Sequence, residues 1–297
     1  MKHLVVLTGA GISAESGIKT FRDSDGLWEK YDVNQVASIE GWHENKALML
    51  DFYNQRRKQV QKAQPNEAHR ILAELEKYFK VSIITQNIDS LHEKAGSTNV
   101  LHLHGEITKA CNEDKTQVIE IGDKEINVGD KAPDGSQLRP FIVWFGEQVP
   151  LLNEAIETVR SADILLVVGT SLNVQPAASL LNVVANDVPV FLIDPSPKVT
   201  YRKVTVIQAK ASEGMEMFRN FFLNGKRLPA YDYQQAEETD NILLACNKAI
   251  EIEPDNPDNW IQKSQRLGEL QRYDEAMICQ DEAMKLLKNG IMPFSLE

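Results

Sequence analysis

The chain has 297 residues, 42% of them hydrophobic and 25% charged, with a formal net charge of −11. That suits one large domain or a domain with an appendage, and it excludes collagen-like, coiled-coil and wholly disordered readings. The acidity argues against a protein bound to nucleic acid or an anionic membrane, and it is concentrated at one end, where residues 229–297 carry 14 acidic and 6 basic side chains.

Short, largely apolar runs rich in β-branched residues recur at 4–7, 81–84, 164–168, 188–193 and 204–207. None alternates with polar residues, so each predicts a strand buried on both faces. Helical spacing fills 45–62, 66–79, 151–160 and 176–186 between them. Strand–helix alternation predicts an α/β parallel sheet with helices on both faces, whose ligands collect at the carboxyl ends of the strands. Residues 109–138 are polar and turn-rich, which predicts a small insertion outside the sheet. Within it, 118–121 against 125–128 across Gly122-Asp123-Lys124 reads as a hairpin. The run at 4–7 is too short for a signal peptide, and no stretch is long and apolar enough to span a membrane. Cys111, Cys246 and Cys279 have no disulfide-framework spacing and suit a reducing, cytoplasmic compartment.

Residues 224–235 read as a linker and 236–290 as an all-α, acidic extension. Trp260, Tyr273, Ala276 and Ala283 fall where a tetratricopeptide repeat places its aromatic and small packing residues, although Lys263-Ser264 replaces the usual Leu-Gly. At most one and a half repeats fit, so the extension is expected to dock on the α/β domain, on a second subunit or on a protein partner. A plain amphipathic tail is the alternative.

The first strand runs into Gly9-Ala10-Gly11-Ile12-Ser13, where glycines permit a tight turn and close backbone approach to a phosphate. A ligand-free βα turn satisfies the same string. Ala14 stands where a dinucleotide fingerprint has its third glycine, and no acidic residue follows a second strand, which disfavours an ordinary dehydrogenase. Gln86, Asn87, Ile88 and Asp89 follow a strand, as do Gly169, Thr170 and Ser171. Tyr53 and Arg56 are three apart on a predicted helix and share a face.

Together these strings resemble the sirtuins, the NAD-dependent protein deacylases. The resemblance rests on Gly9 to Ile18 with Phe21-Arg22, then Thr85-Gln86-Asn87-Ile88-Asp89-Ser90-Leu91-His92 and His102-Leu103-His104-Gly105-Glu106. Arg139-Pro140 with Trp144-Phe145-Gly146-Glu147 follows, and then Gly169-Thr170-Ser171 with Val174, Pro176 and Ala177. It covers roughly residues 1–223 and implies an inverted Rossmann-like sheet with a small insertion domain. It also implies NAD as cofactor, acyl-lysine proteins or peptides as substrates, and nicotinamide and O-acyl-ADP-ribose as products.

The same resemblance assigns roles. His104 would be the general base, a task that suits imidazole, with Asn87 and Asp89 around the nicotinamide and its ribose. Gly9, Ala10, Gly11, Ser13, Phe21, Arg22, Gln86, Ile88, Gly169, Thr170, Ser171, Asp194 and Ala211 would hold NAD. The string Ala37, Gly41, Phe52-Tyr53-Asn54 and Arg56-Arg57 is similar to the bacterial branch that accepts acidic acyl groups. Tyr53 and Arg56 would then grip a succinyl or malonyl carboxylate while Ala37 leaves room for it. Val143, Phe145, Gly146, Glu147 and Val174 would flank the substrate peptide as strand-pairing edges.

The chain departs from the family in one respect. Most sirtuins carry two Cys-x-x-Cys pairs that bind a structural zinc, whereas Cys111 alone stands in this insertion, so no zinc is expected. Two rival readings share the cofactor: ADP-ribosyl transfer or NAD hydrolysis, and a non-catalytic NAD-sensing scaffold.

Overall fold

The structure is a computed structural model that describes residues 1–18, 31–170, 177–197, 204–231, 233–269 and 273–288. These residues form two compact units, one within residues 1–229 and one drawn mainly from 230 onward.

The first unit is built on a six-stranded parallel sheet: β1 (His3–Thr8), β2 (Lys80–Thr85), β3 (Val100–His102), β7 (Ile164–Val168), β8 (Val190–Asp194) and β9 (Val204–Gln208). The order across the sheet is β3-β2-β1-β7-β8-β9. All six residues of β1 and all five of β7 are buried, as the unbroken apolar runs require of central strands. Pro189 has no N–H for a ladder, and β8 begins after it; its carbonyl still accepts the Leu165 N–H at 3.1 Å.

Helices cover the sheet and build a second layer: α1 (Ala10–Ala14), α2 (Val33–Val36), α3 (Ile39–Glu44), α4 (Lys46–Lys62), α5 (Glu67–Leu75), α6 (Leu91–Ala95), α7 (Leu152–Arg160) and α8 (Ala211–Asn224). Asn66 caps α5, accepting the Ala68 and His69 N–H groups at 3.0 and 3.4 Å, and Asn45 caps α4 through the Leu48 N–H at 3.0 Å. Ile71, Leu72 and Leu75 of α5 and Met215 and Phe218 of α8 pack with Leu4, Val6, Leu166 and Ile193 of the sheet in one core.

A second core lies under α3 and α4. It joins Trp42, Phe52 and Tyr53 to Ile107, Ile142 and Trp144. Its sheet is antiparallel, in the order β5-β4-β6, from β4 (Gly105–Cys111), β5 (Val118–Glu120) and β6 (Arg139–Ile142).

Two sequence expectations are corrected. Residues 118–121 do not pair with 125–128; β5 instead pairs with β4, with Ile119 opposite Ala110. Ile126 is buried, and Asn54 of α4 holds both its main-chain groups: Nδ2 donates to the Ile126 carbonyl at 2.9 Å and Oδ1 accepts its N–H at 3.0 Å. A side chain thus takes the place of a strand partner. The helix expected over 176–186 is a 3-10 helix at Ala177–Val183. Leu180 is its one deeply buried residue among those whose side chains are described, so no apolar face favours a longer helix.

The second unit comprises α9 (Tyr233–Ile252), α10 (Pro257–Glu269) and α11 (Tyr273–Lys288). Leu243, Leu267, Ala276 and Cys279 form its core, with Trp260 against it, and Ala283 is also buried. Ser264 donates to the Ala276 carbonyl at 2.9 Å, so a small polar residue joins α10 to α11. Among the described residues, no helix is long and apolar enough to cross a membrane.

Candidate active site

The register brings the strand ends level. Thr8 lies opposite both Thr85 and Val168, Thr85 opposite His102, and Val168 opposite Ile193. Gly9, Gln86, Leu103, Gly169 and Asp194 therefore leave the sheet along one carboxyl edge. After β1 the chain builds outward through β2 and β3, then returns to the other side of β1 as β7. The reversal lies between β1 and β7, the place where open parallel sheets hold ligands.

The loops after β1 and β7 meet there backbone to backbone. The Gly11 N–H donates to the Gly169 carbonyl at 2.8 Å, and the Gly9 N–H donates to the Val168 carbonyl at 3.1 Å. A Cβ on Gly11 would stand 2.7 Å from the Gly169 Cα. Gly169 has φ +62°, and its own Cβ would stand 2.3 Å from the Ile12 nitrogen. The glycines are thus needed for this crossing, whatever ligand lies beyond it.

A polar chain fastens the β1 and β2 ends. Asn87 Nδ2 donates to the Gly9 carbonyl and to Ser13 Oγ, both at 3.1 Å. Ser13 Oγ donates to Asp89 Oδ2 at 3.1 Å, and Asp89 Oδ1 accepts the Leu91 N–H at 3.1 Å. With both amide hydrogens of Asn87 used, its Oδ1 remains an acceptor. Burial raises the Asp89 pKa against the pull of these bonds and of the His102 and Arg56 charges. Gln86 Nε2 donates to Thr170 Oγ1 at 3.1 Å, tying β2 to β7 across β1. Beneath, Asn66 Nδ2 holds the Ile12 carbonyl at 2.7 Å and Ser16 Oγ at 3.0 Å. Sequence reasoning passed over Asn66; its place as the cap of α5 was the available signal.

His102 and His104 stand two apart in sequence, and their pKa values shift in opposite directions. His102 Nδ1 faces the Asn87 carbonyl at 3.1 Å and Nε2 faces Glu93 Oε1 at 2.8 Å. Burial opposes its charge, but Glu93, Glu106 and the Asn87 carbonyl outweigh burial and raise its pKa. His104 Nδ1 lies 3.0 Å from the Gln86 carbonyl. Burial lowers its pKa, only partly opposed by that carbonyl. His104 is therefore neutral at pH 7, and since a carbonyl only accepts, the proton is on Nδ1 and the lone pair on Nε2. His104, Gln86, Ile88, Thr170 and Asp194 are half-buried, reachable from the open end of the sheet.

Asp194 Oδ1 accepts the Ser196 N–H at 2.8 Å at the end of β8. Ala211 is buried at the start of α8, where the Ser212 N–H donates to Glu15 Oε2 at 2.8 Å. Phe21, Arg22, Ser171 and Val174 lie outside the described residues.

Tyr53 and Arg56 are both buried on α4. The Tyr53 hydroxyl accepts Trp144 Nε1–H at 2.9 Å, a partner that sequence reasoning missed. Ala37 is buried, and its carbonyl accepts the Phe145 N–H at 2.8 Å, while the Phe145 carbonyl accepts the Ile39 N–H at 3.0 Å. The Val143 N–H donates to the His104 carbonyl at 3.0 Å, and Gly146 turns with φ +86°. Phe145 thus has both main-chain groups engaged within the chain. Glu147 binds Arg139 through both oxygens, at 2.9 and 3.1 Å, and Lys115 at 2.8 Å. Its carboxylate joins these two cations.

Zinc does not fit. A four-coordinate zinc needs further ligands beside Cys111, whose Sγ instead faces the Pro140 carbonyl at 3.7 Å. Among the described residues, which include the whole insertion, no group of three or more His, Cys, Asp or Glu is placed to hold a metal ion.

The chain is similar to known proteins over most of its length. A family model described as the Sir2 family matches residues 9–176. The NAD-dependent protein deacylase of Bacteroides thetaiotaomicron is 53% identical over 231 residues, 75% of this chain and 99% of that protein. The crystal structure of a Sir2 homolog–NAD complex gives a TM-score of 0.67 at 41% identity, covering 72% of this chain and 87% of that one. A mutant Sir2 homologue in complex with 2'-O-acetyl ADP ribose gives a TM-score of 0.69 at 38% identity, covering 77% of this chain and 95% of that one.

Proposed function

Because this chain belongs to the Sir2 family and is an NAD-dependent protein deacylase, we propose that His104 is its general base and that Tyr53 with Arg56 reads acidic acyl groups on lysine. Bound NAD supplies the ribose carbon from which nicotinamide leaves and the hydroxyls that receive the acyl group. His104 Nε2 takes the proton from a ribose hydroxyl. The observation that carries this role is the Nδ1–H bond to the Gln86 carbonyl, which leaves Nε2 as the acceptor in a neutral ring.

Asn87 and Asp89 complete the catalytic group with His104. Asn87 offers Oδ1 to the nicotinamide side, and Asp89, braced by Ser13 and the Leu91 N–H, holds the neighbouring loop. Gly9, Ala10, Gly11 and Ser13 with Gly169 and Thr170 take the phosphates and the adenosine side, and Asp194 with Ala211 takes the adenine end. Tyr53 and Arg56 present a phenol and a guanidinium, both donors to a carboxylate, from one face of α4. Desuccinylation and demalonylation then accompany deacetylation. A substrate peptide pairs along the edges formed by Val143, Phe145, Gly146 and Glu147 and by Val174.

The same reading assigns residues 1–223 to chemistry, with 109–138 as a zinc-free insertion, and 236–290 to a tetratricopeptide-like module. The Bacteroides protein aligns over 99% of its own length but only 75% of this chain, which supports a tail dispensable for chemistry. Exposed Met277, Ile278, Met284 and Leu287 on α11 give that tail an apolar surface for a protein partner. Three cysteines free of disulfide bonds support a cytoplasmic setting.

The test is nicotinamide release from NAD by the full chain, followed by mass spectrometry. Acetyl-, malonyl- and succinyl-lysine peptides and an unmodified peptide are compared. Release that requires an acyl peptide and yields the matching O-acyl-ADP-ribose is expected. Release without any acyl peptide would move the assignment to NAD hydrolysis or ADP-ribosyl transfer, and binding without release to a sensor.

A further inference from the structure

Tyr53 is 3% exposed, and its hydroxyl oxygen accepts the Trp144 indole N–H at 2.9 Å. An indole nitrogen can only donate, whereas a phenol both donates and accepts. The direction of this bond is therefore fixed, and it leaves the Tyr53 O–H to donate elsewhere. Burial raises the Tyr53 pKa well above its ordinary value, against the pull of Trp144, Arg139 and Arg56, so the phenol keeps its proton at neutral pH. Arg56, one helical turn away on α4, acts electrostatically on the same phenol.

The indole is held from several sides. The Arg139 guanidinium lies 3.6 Å from the Trp144 ring centroid, and the Trp42 ring packs at 5.3 Å. Glu147 clamps Arg139 through both oxygens and also accepts the Trp144 backbone N–H at 2.8 Å. Turning the indole away from Tyr53 would disrupt a stack and crowd a buried ion pair, and that explains why Trp144 holds one orientation.

We infer that Trp144 is a specificity-determining positioning residue: its indole N–H occupies the Tyr53 hydroxyl oxygen and leaves the Tyr53 proton for the carboxylate of an acidic acyl-lysine. The inference rests on the reading of Tyr53 and Arg56 as the acyl-recognition pair. Trp144 touches Tyr53 and not the substrate. Its N–H polarises the phenol, which strengthens the hydrogen bond that the phenol donates onward. An acetyl group has no carboxylate to receive that bond, so the effect is confined to acidic acyl chains.

The experiment measures kcat and KM of the full chain on succinyl and acetyl forms of one peptide at saturating NAD. Trp144→Phe is expected to lower the succinyl-to-acetyl ratio of kcat/KM about tenfold, mainly through the KM for the succinyl peptide. Adding Tyr53→Phe to Trp144→Phe should lower the ratio no further than Tyr53→Phe alone, because the two groups act in series. Equal losses on both peptides, or effects that simply add, would overturn the inference. Tyr53→Phe with Arg56→Met separates the two levels of the argument. If that pair leaves the ratio unmoved, the acyl-recognition reading itself fails; if it moves the ratio and Trp144→Phe does not, only the role of Trp144 is lost. Where Trp144→Phe does not fold, benzothienylalanine at position 144 keeps the bicyclic shape without the N–H. The same drop in ratio is then expected, and an unchanged ratio overturns the inference.

Discussion

The Nδ1 of His104 lies 3.0 Å from the Gln86 carbonyl, and this contact leaves Nε2 as the ring nitrogen with the open lone pair. Because burial lowers the His104 pKa below the ordinary 6.5, the base form persists at mildly acid pH. We expect kcat/KM for nicotinamide release to be flat through neutrality and to fall only below pH 6.5, as the ring gains its second proton. An acid limb centred above 6.5 would contradict the assignment. His104→Tyr should cost about 10²–10⁴-fold in the same assay.

Two further histidines set the acid stability of the fold. His69 and His92 are fully buried with ring centroids 4.9 Å apart; His69 Nδ1 bonds Asn66 Oδ1 at 3.0 Å and His92 Nε2 bonds Thr8 Oγ1 at 3.1 Å. Burial, with Arg70 adding and Glu93 opposing, lowers the His69 pKa to about 4; burial, with the His69 and His102 charges, lowers His92 well below 6.5. Both folded-state values are depressed, so the unfolded chain binds more protons below pH 6.5. The stability is complete above 6.5 and lost as pH falls toward 4, by about 3 kcal/mol for His69 alone. His102 works in the opposite sense: its raised pKa adds stability that is complete below 6.5 and lost as pH climbs through the raised value. Urea unfolding at pH 7.5, 6 and 5 should show the net decline, and His69→Gln should flatten it. A wild-type stability independent of pH over that range would refute the account.

The loop crossing predicts a separate sensitivity. Gly169→Ala places a side chain at φ +62° and a Cβ 2.3 Å from the Ile12 nitrogen. Backbone, not a flexible side chain, must yield, which costs about 1–3 kcal/mol or more. The loops after β1 and β7 would then separate, and the KM for NAD should rise together with the loss of stability. A variant with wild-type melting and wild-type KM would show that the crossing tolerates a side chain.

Much of this architecture is legible in the sequence because its determinants are local. The runs at 4–7 and 164–168 are unbroken and β-branched, and they form β1 and β7, buried throughout. What is not legible depends on partners far along the chain. The Gln86 carbonyl that fixes the His104 tautomer lies 18 residues away, the Ile126 main chain held by Asn54 lies 72 away, and the indole on Tyr53 lies 91 away. The expected hairpin at 118–128 failed for the same reason. Turn residues mark where the chain bends, but burial of Ile126 under α4 decides what it pairs with.

Asn54 leads to the last prediction, about the insertion. In most sirtuins a zinc ion holds this region, but here one side chain on α4 binds it: Asn54 contacts both main-chain groups of Ile126, and its Oδ1 also accepts Arg57 NH1 at 2.7 Å. Arg57 in turn donates through Nε to the Ile107 carbonyl at 2.7 Å, joining α4 to β4. Asn54→Ala leaves the Ile126 N–H and carbonyl without a partner in a buried position, so unfolding should become easier by about 2–4 kcal/mol. A chelator such as EDTA should leave the melting temperature of the wild-type chain unchanged, since no thiolate cluster is there to lose a metal. The two measurements belong together. A melting temperature that falls with chelator, or an Asn54→Ala chain as stable as wild type, would mean that something other than this amide holds the insertion against α4.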